Sequence, residues 1–99
     1  MSQSILQRRL VDVSERLKRL RAEVAVTEEQ LVYLEDEAED ARMRALVAET
    51  PLADVAARDT RRHADVQARH RDALRRSIAE LERESDTLLD RMAAELSAP

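Results

Sequence analysis

The chain reads as all-α, an antiparallel two-helix coiled-coil hairpin, and three observations predict this. The first is composition. Of 99 residues, 38% are charged and 43% apolar; Gly, Cys, Trp and Phe are absent, and Tyr33 is the only aromatic. A compact globule of this size normally uses aromatics in its core and glycines in its turns. A menu of Ala, Leu, Val, Arg, Glu and Asp is that of long helices. The second is an unbroken heptad seam. The third is a single break, Glu49-Thr50-Pro51, at mid-chain.

Helix 1 is expected over about 4–48. Positions spaced alternately by four and three run Leu6, Leu10, Val13, Leu17, Leu20, Val24, Thr27, Leu31, Leu34, Ala38, Ala41, Ala45 and Ala48. Twelve of these thirteen are apolar, where composition alone gives about five or six. Such spacing buries one stripe against a partner helix and argues against a disordered, charge-rich chain. Ser4 with Gln7 suggests a capping box at the start.

The turn is expected at about 49–51. The residue before a proline is pushed out of the helical region. Thr50 suits an N-cap, and Pro51 the first helical position. Asp54 then falls in a first turn, where the helix dipole favours a carboxylate.

Helix 2 is expected over about 51–96, with a poorer seam. Its C-terminal half reads Leu74, Ile78, Leu81, Ser85, Leu88, Met92 and Leu96; its N-terminal half reads Leu52, Val55, Asp59, His63, Val66 and His70. The consecutive four-residue steps Val66, His70, Leu74 and Ile78 suggest a stutter. A single helix kinked at Pro51 is the rival architecture. Reversal at the turn makes facing residue numbers sum to about 101, which sets Leu20 against Leu81, Val13 against Leu88 and Leu31 against His70, and places Ala38, Ala41 and Ala45 opposite His63, Thr60 and Val55 or Ala56.

Charge supports the reversal. Residues 1–22 carry six bases and two acids, and residues 77–99 six acids and two bases. Residues 23–40 carry eight acids and no base, and residues 51–76 seven arginines and four acids. Opposite signs face each other twice, which sets orientation more than stability, because exposed pairs contribute only a few tenths of a kcal/mol each. The reading is one hairpin over 1–99.

The composition excludes several function classes. A net charge of −4 does not attract nucleic acid or anionic lipid generically. Without Cys there is no disulfide, thiolate chemistry or cysteine zinc site. No apolar run is long enough for a signal peptide or a membrane span, so the expected location is the cytoplasm. His63, His70 and Asp59 share a helix side but lack a metal-binding helix motif and stand among arginines, so they read as polar seam residues. The acidic run Glu35–Asp40 lacks a calcium loop and reads as a solvated face paired with arginines. The arginines of 58–76 lack aromatic partners for base stacking. No serine has a histidine or oxyanion loop nearby. No catalytic, cofactor or metal residue is therefore assigned, no small-molecule substrate is expected, and the chain reads as non-enzymatic.

A second, thinner apolar stripe on helix 1 lies off the main seam: Ile5, Val11, Val26, Val32, Tyr33, Leu46 and Val47. A lone two-helix seam is a small core. The stripe is expected to meet a second chain, giving a four-helix bundle, or a helical partner protein. The expected contacts are Val26, Val32, Tyr33, Leu46 and Val47. The rival function is a transcription regulator that binds RNA polymerase or a sigma factor through the tip acids Glu49 and Asp54 or through a flank. Lys18 is the only lysine among seventeen basic residues, a bias similar to the coding habit of actinobacteria. The run VTEEQLVYLEDEAEDARMRALVAETPLAD, about a third of the chain, resembles functionally uncharacterised short coiled-coil proteins of actinobacteria, a resemblance that implies a helical hairpin and no site residues.

Overall fold

The computed structural model describes residues 2–98. Two α-helices account for almost all of them: α1 (Gln3–Ala48) and α2 (Pro51–Leu96), arranged as an antiparallel hairpin. Contacts divide the chain into two compact units, the first formed by residues 2–23 and 74–98, the second by residues 24–73.

The ends of both helices follow from local chemistry. α1 starts one residue earlier than its sequence suggests. The Ser2 hydroxyl accepts a hydrogen bond from the Ile5 amide at 3.3 Å, and the Ser2 carbonyl accepts from the Leu6 amide at 3.0 Å. Ser2 is thus the N-cap, and Ser4 lies inside the first turn. At the other end, the Glu49 amide donates to the Ala45 carbonyl at 3.1 Å with Glu49 at φ 53°. This is the left-handed C-cap that glycine usually occupies; for a residue with a Cβ it costs about 1–2 kcal/mol. The next helix follows at once. The Thr50 hydroxyl accepts from the Ala53 amide at 3.2 Å, and its carbonyl accepts from the Asp54 amide at 3.1 Å. Pro51, with no amide hydrogen, fills the first helical position.

In the first unit the core is leucine-rich. Leu6, Val13, Leu17, Leu81 and Leu88 are buried together, with Leu10, Leu20, Ile78 and Met92 packed against them. Full burial of such a side chain contributes about 2 kcal/mol. Polar contacts frame this core. Gln3 Nε2 donates to the Met92 carbonyl at 3.1 Å, Arg9 pairs with Glu84 at 3.0 Å, and Arg21 with Glu82 at 3.5 Å. These are bases of 1–22 meeting acids of 77–99, as the charge blocks anticipate.

In the second unit the core is narrow. Leu34, Ala38 and Ala64 form the buried cluster, and Leu31, Ala41 and Thr27 are also buried. Alanines let two helices approach closely, at the expense of apolar area. Arg61 bridges the helices to Glu35 at 2.7 Å and also reaches Asp65 at 3.0 Å on its own helix. Gln67 donates its amide to Gln30 at 3.4 Å.

The seam of α1 matches the heptad reading through Ala45; Ala48, the last helical residue, is exposed. The seam of α2 requires a correction. Its inward positions are Ala53, Ala57, Thr60, Ala64, Gln67 and Arg71, continuing through Leu74, Ile78, Leu81, Ser85, Leu88, Met92 and Glu95. Steps of four and three alternate without interruption, so the expected stutter is absent. Leu52, Val55, Asp59, His63, Val66 and His70 are all exposed. Ala38 packs with Ala64 instead of lying opposite His63. Helix phase is set by the whole seam, and the long leucine run after Leu74 holds the N-terminal half in its register. Thr60 tolerates its half-buried place because its hydroxyl donates back to the Ala56 and Ala57 carbonyls at 2.9 and 3.1 Å. No buried side-chain nitrogen or oxygen lacks a partner among the described residues.

Candidate interaction surface

Apart from the buried Leu31 and Leu34, the second unit exposes most of its large apolar side chains and buries small ones. Val47 is 85% exposed, Leu52 81%, Val32 65%, Tyr33 64% and Leu46 62%, whereas Ala38, Ala41 and Ala64 are buried at 4%, 3% and 0%. Isolated exposed apolar residues are ordinary on protein surfaces. Here they concentrate in one unit and crowd towards the turn, where Met43 and Val55 join them.

Helix geometry sorts these residues into separate faces, at about 100° per residue. Val26 and Tyr33 are seven residues apart and share one side. Val32, Met43 and Val47 share another, pointing away from the α1 seam. Leu46 lies about 140° round the helix from Tyr33, so the five apolar residues singled out from sequence do not make one patch. Ile5 and Val11, also exposed, belong to the first unit. Glu49 and Asp54 are exposed at the turn, Glu49 as the left-handed cap and Asp54 in the first turn of α2.

Open grooves lie between the helices of this unit. One of about 500 Å³ is lined by Glu29, Gln30, Tyr33, Leu34, His63 and Gln67. Another, of about 540 Å³, has Ala38 and Ala57 among its lining with Arg42, Arg58, Arg61, Arg62 and Arg69 around them. A further one, of about 380 Å³ near the turn, is lined by Arg42, Ala45, Leu46, Asp54, Ala57 and Arg58.

The electrostatics of this surface are local. Arg61 donates to the Glu35 carboxylate, which holds the Glu35 pKa below its ordinary value; desolvation opposes this, and the charges of Arg61 and Arg71 add to it. The same hydrogen bond, helped by Asp65, pushes Arg61 up, further into the range where it never loses its proton. Arg42 grips Glu39 with two hydrogen bonds, 3.0 and 2.6 Å, and lowers its pKa in the same way. Glu37 accepts a hydrogen bond from the Tyr33 hydroxyl and raises the phenol pKa. The acidic run thus divides: Glu35, Glu37 and Glu39 are engaged, while Asp36 and Asp40 face solvent with no ion pair to another described residue.

His63 and His70 stand on the exposed side of α2, so they do not set the seam register. Among the described residues no group of three His, Cys, Asp or Glu side chains is placed to hold a metal ion. Among the same residues no helix is long and apolar enough to cross a membrane.

Met43, Leu52, Val55 and Val66 are surface residues that the sequence reading missed, the last three because it assigned them to the seam. The signal was present in the four-three alternation carried backwards from Leu74, which lands on Gln67, Ala64, Thr60, Ala57 and Ala53. No protein family, no curated protein and no solved structure matches this chain.

Proposed function

We propose that this protein is a non-enzymatic interaction module of the cytoplasm, a helical hairpin of scaffold or adaptor type whose working surface is the outside of the turn-proximal unit. The inverted distribution of apolar residues carries the reading. A unit whose buried residues are Thr27, Leu31, Leu34 and three alanines keeps Val32, Tyr33, Leu46, Val47 and Leu52 in water, and covering them would supply the apolar area that its own seam lacks. Apolar anchors on helical faces with charged neighbours suit docking against other helices, where apolar burial gives affinity and charge gives register.

The test replaces Val47 and Leu52 together with Glu and captures bound proteins from native cells. The control is Val11→Glu, on the exposed face of the first unit. Wild type and control should retain the same proteins, and the double variant should lose them with helicity unchanged. Retention of all of them by the double variant would reject the surface. Their loss in a Glu49→Ala/Asp54→Ala variant, with the Val47 and Leu52 variant unaffected, would instead favour a regulator acting through its acidic tip.

A further inference from the structure

The apolar residues on the two outer faces of the second unit are interleaved with opposite charges. On α1, Val32, Asp36, Asp40, Met43 and Val47 lie within about 80° of arc on the side away from the seam. On α2, Val55, Arg58, Arg62, Val66 and Arg69 occupy an equally narrow strip, also away from the seam. All ten are exposed. Asp36, Asp40, Arg58 and Arg69 make no ion pair with another described residue, and Arg62 reaches only Asp59, at 3.8 Å. Each strip is apolar residues plus charge of one sign, and the two signs are opposite.

We propose, building on the interaction-module reading, that the occupant of the α1 strip is the α2 strip of a second copy of this chain. The two strips match in level as well as in sign. Leu34 and Ala64 pack in one cluster, and their numbers sum to 98, close to the 97 of Gln30 with Gln67 and the 96 of Glu35 with Arg61. The numbers of Val32 with Val66, Asp36 with Arg62, Asp40 with Arg58 and Met43 with Val55 also sum to 98. Two copies side by side without axial shift therefore set aspartate against arginine and apolar against apolar, with α1 antiparallel to the neighbouring α2. Opposite charges between surfaces fix register and disfavour the wrong pairing, as α1 on α1 would bring acid to acid. Because the two strips are different and lie on opposite sides of the unit, the contact is head-to-tail. Each added copy offers a fresh strip, so assembly continues beyond a pair until a ring closes or a filament grows.

The experiment uses the full chain and two charge reversals, Asp36→Arg/Asp40→Arg and Arg58→Glu/Arg62→Glu, followed by mass measurement in solution over a concentration series. Wild type should grow past two copies, and added salt should weaken its association. Each reversal alone should associate at least about tenfold more weakly, about 1.4 kcal/mol. Mixing the two should restore association, because one variant then carries basic strips and the other strips in which acids outnumber the remaining Arg69. If a double variant loses helicity, Asp36→Arg and Arg62→Glu alone are held to the same criterion. A wild type that stays monomeric at high concentration, or a mixture no heavier than its components, overturns the proposal. Capture of a different protein that depends on Val47 and Leu52 would then leave the module reading standing; loss of both results would remove both.

Discussion

The two units have the same helices and the same seam spacing, yet the first buries more of its large apolar residues and the second exposes more of them. The first unit buries Leu6, Leu17, Leu81 and Leu88 against one another. The second buries Ala38 and Ala64 and exposes Val32, Leu46, Val47 and Leu52. Stability from burial scales with the area removed from water, so the first unit anchors the fold. The second is held by a smaller seam, in which Leu31 and Leu34 are buried with alanines, and by polar links such as Arg61 to Glu35. Regions with few buried apolar contacts open most readily, and binding surfaces are often drawn from them. A surface placed on the alanine-cored unit thus combines free apolar area with the lower barrier to adjustment.

The largest test of this contrast is a cavity in the first unit. Leu88 is 3% exposed. Leu88→Ala should cost about 3 kcal/mol, a large share of what so small a domain has, and should appear as a marked fall in the urea midpoint followed by far-UV circular dichroism. The second unit should fail in the reverse direction. Ala64 is fully buried beside Ala38, so enlarging it pushes the helices apart. Ala64→Leu should cost about 2 kcal/mol through overpacking, while amide exchange should rise most over residues 24–73. If Ala64→Leu instead stabilised the chain, the second unit would have room that the close-packed description denies it.

The same contrast explains what was legible in the sequence. The leucines of α1 and of the C-terminal half of α2 announce their seam because size and spacing agree. Around residues 52–70 they disagree: the larger apolar residues Leu52, Val55 and Val66 offer one pattern, and Ala53, Ala57 and Ala64 offer another. Reading by hydrophobicity selects the former and requires a stutter. The helices select the latter, because side chains as small as alanine permit close packing and α2 keeps its phase from Leu74 backwards. The Thr50-Pro51 cap was legible because each residue has one strong local role. The Ser2 cap was not, since Ser2 and Ser4 are chemically alike and the choice depends on where the first turn closes. The outer apolar residues of α1 were legible as such, for Val26, Val32, Tyr33, Leu46 and Val47 are all exposed; those of α2 were not, because the α2 reading placed Leu52, Val55 and Val66 in the seam.

The smallest effect lies in the polar link that joins the helices of the second unit. The Arg61 hydrogen bond holds Glu35 below its ordinary 4.5. A carboxylate whose folded pKa lies below its unfolded one binds fewer protons when folded, so its contribution is present above the ordinary carboxylate range and is lost as pH falls through the depressed folded value. Carbon-13 titration of the Glu35 carboxyl should therefore give a midpoint below 4.5, moving upwards in Arg61→Gln. Glu35→Gln should be slightly less stable than wild type at neutral pH, with the difference closing in acid. Because both side chains are close to half exposed, at 47% and 45%, solvent screens the pair and the change should be far smaller than that from Leu88→Ala. A Glu35 midpoint at or above the ordinary value would mean that the arginine does not hold it in solution. The second unit would then rest on its small seam and the Gln67–Gln30 hydrogen bond, sharpening the contrast with the leucine-rich unit.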